Sequence, residues 1–154
     1  MKWSQFKAIT LFACVSILTT PFASAAGSDI PPRQLCAEMN EVYSEYDFPL
    51  DLDGFTLQKI EARWERGQCV IEKTQTMHVV REAKNTREQL YRDAGFEASN
   101  EDIINMWLGW EEQGVIGQYM IEAATSPFGS ERGQVIIHFQ PDRYLQPFTA
   151  TKQF

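Results

Sequence analysis

The stretch FTLQKIEARWERGQCVIEKTQTMH, residues 55–78, decides the fold because two alternating segments flank a turn. In the first segment, apolar and charged side chains alternate, which places them on opposite sides of an extended chain. The apolar side carries Ile60, Ala62 and Trp64, and the polar side carries Glu61 and Arg63. Arg66-Gly67 supplies turn chemistry between the segments. We therefore predict a β-hairpin with strands over residues 55–64 and 69–78.

The second strand of this hairpin alternates less regularly than the first. Its apolar side carries Cys69, Ile71 and Met77, and its polar side carries Glu72, Thr74 and Thr76. Lys73 and Gln75 nevertheless fall on the apolar side, so the alternation is imperfect. The segment is still predicted as a strand, since the rest of it keeps a period of two.

A helix and a disulfide are predicted next to this hairpin. Apolar residues recur at helical spacing from about Arg33 to Glu45, after the helix-entry prolines Pro31 and Pro32. Cys36 and Cys69 are the two cysteines that follow the predicted leader, and we expect them to bridge in an oxidising compartment. The alternative is a pair of buried free thiols. A bridge would hold the helix against the second strand.

The pattern changes to helical spacing after the hairpin. A second helix is predicted from Val80 to Ala94, and Gly95 follows as a natural stop. Ser99 stands three residues before Asp102, a capping-box pattern that predicts the start of a third helix. The apolar side of that helix carries Ile103, Ile104, Trp107, Leu108 and Trp110.

The last third of the chain is predicted to form a second hairpin. Residues 115–124 alternate as a strand does, and they could also continue the third helix. Gly114 and Gly117 favour the strand, because each disfavours a helix by about 1 kcal/mol relative to Ala. The clearest strand carries Val135, Ile137 and Phe139. Pro141 and Pro147 then indicate an irregular tail from about residue 141.

These elements predict an α+β fold. We expect an antiparallel sheet of about four strands in two hairpins, with helices packed on one face and one disulfide. Residues 33–154 would form a single domain, and residues 26–32 would be a linker.

The first 25 residues are typical of a cleaved secretory signal peptide. Basic Lys2 and Lys7 precede a short apolar run, and Ala23-Ser24-Ala25 offers the small-x-small cleavage pattern. The apolar run is too short to cross a bilayer as a helix. An alternative is lipidation at Cys14, which would tether the protein to a membrane. Export to the bacterial periplasm is the expected location.

The net negative charge of the chain indicates which classes of partner it can bind. The formal charge is −7 at pH 7, and removal of the leader with its two lysines makes it −9. Such a surface repels nucleic acid and anionic lipid and attracts a basic protein, although solubility alone also explains it. We expect no membrane contact unless Cys14 is lipidated. No P-loop, HExxH or CxxC motif is present, so we expect no cofactor and no metal.

Two histidines are the candidates for acid–base chemistry. His78 and His138 both fall in predicted strands, and neighbouring hairpins could bring them together. One of them could then act as a general base with Glu72 or Asp142. The plainer interpretation is that each histidine makes a local hydrogen bond at a half-exposed strand position.

Four residues of the third helix are the candidates for partner binding. Glu111 and Glu112 stand at its C-terminal end, where negative charge is unfavourable, which could mark a surface for a basic group. Trp107 and Trp110 could anchor an interface, although their spacing also fits core packing. No catalytic constellation emerges from the sequence.

The sequence therefore predicts an exported, non-catalytic, protein-binding domain. Inhibition or neutralisation of a cell-wall hydrolase or an imported toxin would suit its small size and acidic charge. The alternatives are an accessory protein of an envelope or secretion machine, and a small periplasmic enzyme that uses His78, His138 and carboxylates.

Overall fold

The computed structural model describes residues 31–122, 124–129 and 131–154. The predicted leader, Cys14 and residues 26–30 of the predicted linker lie outside the described residues. The elements, in chain order, are α1 (Pro32–Ser44), β1 (Leu50–Leu52), β2 (Phe55–Glu65), β3 (Gln68–Met77), α2 (Val79–Ala94), α3 (Asn100–Glu112), α4 (Ile116–Ile121), β4 (Gly133–Pro141) and β5 (Phe148–Gln153).

The predicted first hairpin is confirmed as β2 and β3. These strands pair antiparallel, with Trp64 opposite Cys69 at the turn end. Arg66 and Gly67 form the turn with φ angles of 50° and 81°, the left-handed conformations that a tight hairpin turn requires. Glycine adopts such a φ without strain, which explains its position here.

The sheet differs from the prediction in size and in strand direction. It has five strands in the order β1-β2-β3-β4-β5, not about four. β3 and β4 run parallel, whereas the other pairs are antiparallel. A parallel pair needs a long crossover, and α2, α3 and α4 supply it. The fold is therefore α+β with a mixed sheet, and the expectation of a wholly antiparallel sheet is wrong.

The predicted strand over residues 115–124 is also wrong, because Ile116–Ile121 forms α4. Gly114 has a φ of 69° and separates α3 from α4. Gly117 lies within α4, where a Cβ atom would come within 2.6 Å of the Thr149 backbone oxygen. The glycine thus serves a close approach between helix and strand rather than a strand of its own.

The predicted irregular tail instead contains an edge strand. β5 (Phe148–Gln153) pairs antiparallel with β4, with Phe139 opposite Phe148. Pro141 ends β4 and Pro147 lies just before β5, so the prolines border the connection between two strands.

The disulfide between Cys36 and Cys69 is confirmed, with the two Cα atoms 5.5 Å apart. It joins α1 to the start of β3, the central strand of the sheet, and α1 packs against β2 and β3. Both cysteines are buried. The capping box at Ser99 and Asp102 is also confirmed at the start of α3.

The core lies against one face of the sheet. Its largest buried members include Trp107, Tyr43, Met39, Leu57, Ile71, Met77 and Ile137. Alternate residues of each strand point to the opposite face, where polar side chains are half-buried or exposed. None of the described helices is long and apolar enough to span a membrane.

Candidate functional site

One face of the sheet carries a set of polar side chains that we call the polar face. Strand registers place these residues on neighbouring strands of the same face. Its members are Lys59, Glu61 and Arg63 on β2, Glu72 and Thr74 on β3, His138 on β4, and Thr149 and Thr151 on β5. Cross-strand neighbours on one face are close enough for side chains to bond.

His138 is the centre of a hydrogen-bonded chain across the polar face. Its Nε2 lies 2.5 Å from Oε1 of Glu72, and its Nδ1 lies 3.0 Å from Oγ1 of Thr149. An ionised Glu72 only accepts, so Nε2–H of His138 is the donor in that bond. The chain joins β3, β4 and β5, and it fixes both ring nitrogens of His138.

Arg63 extends the chain to β2. Its Nη1 donates to Oε2 of Glu72, and its Nε lies 2.5 Å from Oε1 of Glu65. The hydrogen bond with His138, followed by the bond with Arg63, lowers the pKa of Glu72. The bonds with Glu65 and Glu72 raise the pKa of Arg63. Glu72 and Arg63 therefore form a carboxylate–guanidinium pair, and both shifts favour the charged forms.

His78 lies away from this network, between the end of β3 and the start of α2. It caps the start of α2 and donates its backbone N–H to the Gly54 oxygen at 2.9 Å. Its Nε2 lies 2.7 Å from Oγ1 of Thr56, and its Nδ1 lies 3.7 Å from Oδ2 of Asp142. Asp142 in turn accepts from the Val79 N–H at 3.1 Å, so it caps α2 from the end of β4.

The structure therefore does not bring the two histidines together. The register places His138 opposite Thr74, and His78 lies four residues further along the chain, about 13 Å away if that segment is extended. Each histidine instead meets one of the two carboxylates that the sequence singled out. His138 pairs with Glu72, and His78 lies near Asp142.

The four candidate partner-binding residues occupy different environments at the end of α3. Trp107 is 1% exposed and belongs to the core. Trp110 is half-buried and stacks on Tyr119 of α4, with ring centroids 4.3 Å apart. Oε1 of Glu111 accepts from the Gln146 backbone N–H at 2.6 Å. Glu112 is exposed.

Two exposed tyrosines lie in the segments that adjoin this end of α3. Tyr119 is 39% exposed, and Tyr144 is 58% exposed. Tyr144 belongs to the connection from β4 to β5, which the bond between Glu111 and Gln146 attaches to α3. It has a φ of 67°, a conformation that costs a non-glycine residue about 1–3 kcal/mol. We call Trp110, Glu112, Tyr119 and Tyr144 the aromatic–acidic surface.

The chain around this surface is acidic. No lysine or arginine occurs between Asp93 and Glu131, a stretch that contains eight Asp and Glu residues. α3 and α4 both lie within it. α3 carries four of these acidic residues and no lysine or arginine, whereas α2 carries four of the basic residues.

Lys73 is the most unusual titratable residue on the covered face of the sheet. It lies on the central strand, opposite Ile60 on β2 and Ile137 on β4. Burial lowers its pKa from 10.5 to about 8. The sequence already showed this position as unusual, because Lys73 falls on the apolar side of the alternating pattern of β3. Gln75, which breaks the same pattern, is 4% exposed.

Neither a metal site nor an enclosed catalytic cavity accompanies these residues. Within the described ranges, no group of three His, Cys, Asp or Glu side chains could hold a metal ion. A shallow depression of about 510 Å³ lies beside His78, lined also by Arg81, Lys84, Asn100 and Arg143. None of the polar-face residues lines this depression.

No protein-family model, curated protein or solved structure matches this chain.

Proposed function

We propose that this protein is an exported, non-catalytic domain that binds a basic protein through its aromatic–acidic surface. The observation that supports this most is the combination of exposed aromatic rings with a stretch of chain that contains acidic residues but no lysine or arginine. Aromatic side chains dominate the energetics of many interfaces. Complementary charge increases the rate and specificity of association.

The surface is held in place before a partner arrives. Trp110 and Tyr119 stack on each other, and Glu111 fixes the connection that carries Tyr144. A side chain that is already ordered loses less conformational entropy on binding. Glu111 is therefore a support of this surface, and Glu112 is the carboxylate that would contact the partner.

The partner class follows from charge and compartment. A disulfide is compatible with an oxidising compartment, and the periplasm is the location we propose. A basic hydrolase or an imported toxin would present the complementary charge, so inhibition or neutralisation is the activity we propose. An accessory role in an envelope or secretion machine would use the same surface.

The test compares four immobilised proteins in an extract of the exported compartment: the mature domain, Glu112→Lys, Tyr119→Ala and Glu41→Lys. Glu41 is exposed on α1 and serves as the matched control for charge reversal. We expect the wild type and Glu41→Lys to retain the same partner, which 0.3 M salt reduces at least about tenfold. We expect Glu112→Lys and Tyr119→Ala to lose it. Equal retention by all four proteins, or no salt-sensitive partner at all, would reject the proposal.

A small enzyme is the second candidate, and the chain Thr149–His138–Glu72 favours it. A hydroxyl, an imidazole and a carboxylate in this order can activate a nucleophile. Acyl transfer also needs oxyanion donors and the exclusion of water, and no residue of the polar face lines the depression beside His78. A screen with activated esters would compare His138→Ala and Thr149→Val with His78→Ala. Activity that only the first two variants lose would replace the binding proposal.

A further inference from the structure

We propose that Lys73 is a nucleophilic amine site that takes a small, uncharged aldehyde as an imine. The site is separate from the aromatic–acidic surface and does not depend on the proposed function. It uses a side chain that neither the core nor the polar face explains.

The placement of Lys73 is the first argument. It lies on the core-facing side of the central strand, between Ile60 and Ile137 on the two adjacent strands. Lysine is almost never fully buried without a paired charge, and a core-facing strand position is an unusual place for it. The side chain is half-buried, so part of it remains open to solvent.

The lack of a partner is the second argument. Lys59 and Lys84 pair with glutamates, and Lys152 donates to two backbone oxygens. In the described part of the chain, Lys73 has no ion pair and no hydrogen bond, and burial alone shifts its pKa. Its lone pair is therefore not committed to another group whenever the amine is neutral. Desolvated, unpaired lysines of this kind are the ones that act as nucleophiles in proteins.

The surroundings select the class of ligand. The side chains opposite Lys73 on both adjacent strands are aliphatic, so a charged reagent would lose its hydration without compensation. A small aldehyde has no charge to desolvate. The neutral amine adds to its carbonyl carbon, and loss of one water molecule gives the imine. The step needs no oxidant and no metal.

The fraction of each lysine that is neutral predicts a large difference in the rate of imine formation. At pH 7, an amine with a pKa of about 8 is about 10% neutral, whereas an ordinary lysine is about 0.04% neutral. A weaker intrinsic nucleophilicity and partial burial reduce this advantage. We expect imine formation at Lys73 to be at least about fivefold faster than at each of the other three lysines of the domain.

The experiment uses the folded mature domain with its disulfide intact. Propanal is the probe, cyanoborohydride traps the imine, and peptide mapping by mass spectrometry measures the rate at every amine from pH 6 to 9.5. The same spectra report Lys59, Lys84 and Lys152 as internal controls and separate the N-terminal amine. We expect the Lys73 rate to reach half its plateau near pH 8, while the other rates still rise at pH 9.5.

Two further samples make the result decisive. Unfolding in urea should bring Lys73 to within about twofold of the other lysines, because the fold is the proposed cause. Lys73→Met should lose the fast-reacting site and leave the rates of the other lysines unchanged. Labelling of Lys73 that is slower than or equal to the other lysines in the folded domain would overturn the proposal, as would a fast rate that persists in urea.

Discussion

Replacement of Lys73 by Met should stabilise the protein, and the gain should depend on pH. Burial lowers the pKa of Lys73 from 10.5 to about 8, which means that the folded state disfavours the charged amine. One pKa unit corresponds to about 1.4 kcal/mol, so the full shift corresponds to about 3 kcal/mol. The side chain is only half-buried, and screening by solvent reduces our expectation to about 2 kcal/mol. Methionine fills a similar volume without a charge.

The sign of the pH dependence follows from linkage. Below pH 8 the amine is charged in both states, so the folded state bears the whole cost. Between pH 8 and pH 10.5 the folded state releases its proton first, and the free energy of unfolding of the wild type therefore rises. Above pH 10.5 the amine is neutral in both states and the cost disappears. The advantage of Lys73→Met should thus be largest at pH 6–7 and fall towards pH 10.5.

Urea unfolding at pH 6, 7, 8, 9 and 10 measures this difference, provided that the two proteins share the same m-value. Lys84→Met is the matched control, because Lys84 is 58% exposed on α2. It should change the free energy of unfolding by less than about 0.5 kcal/mol at every pH. A Lys73→Met variant that is less stable than the wild type at pH 7 would refute the reasoning, and so would a gain that does not vary with pH.

Three other predictions concern the core and its covalent link. Replacing both Cys36 and Cys69 by Ala should lower the free energy of unfolding by roughly 3–4 kcal/mol in urea, because the bridge closes a loop with a sequence separation of 33. Burial raises the pKa of Tyr43 to about 12, so between pH 10 and pH 12 the unfolded state loses this proton first and the free energy of unfolding should fall. The variant Tyr43→Phe should lose that pH dependence in a series of unfolding measurements at alkaline pH. Gly117→Ala should cost about 1–3 kcal/mol, because its Cβ would meet a backbone oxygen at 2.6 Å. Gly109→Ala on α3 has open space and should instead gain up to about 1 kcal/mol, and equal effects of the two glycine variants in thermal unfolding would contradict this explanation.

The elements that the sequence predicted well have local signals. The β2–β3 hairpin has alternation and a turn, and α3 has a capping box of Ser99 and Asp102. The bridge between Cys36 and Cys69 then placed α1 against the sheet. All of these signals act over a few residues or through a covalent bond.

The elements that the sequence missed depend on contacts far apart in the chain. The parallel pairing of β3 with β4 joins residues on either side of three helices, and no local pattern encodes it. Gly117 disfavours a helix in isolation, yet its lack of a side chain lets α4 approach the backbone of β5 closely. β5 was hidden behind Pro147, which lies beside the strand and not inside it.

The residues of the polar face also divide into those with a sequence signal and those that depend on contacts between distant strands. The sequence offered either histidine as a base with Glu72 or Asp142 if the two histidines met; the structure keeps the histidines apart and pairs His138 with Glu72. It missed Arg63 and Thr149, because their roles depend on the registers of β2 with β3 and of β4 with β5. Tyr144 had no sequence signal, since nothing nearby predicts its left-handed conformation.

The position of the two cysteines has a consequence for biogenesis. Between residues 26 and 154 the chain contains only Cys36 and Cys69, so a single intramolecular pairing exists. Oxidation of this domain cannot produce a scrambled isomer, and a thiol oxidant should suffice where multi-bridged secreted proteins also need an isomerase. A reduced, denatured chain of residues 26–154 should therefore regain its native form in a single oxidative phase without reshuffling.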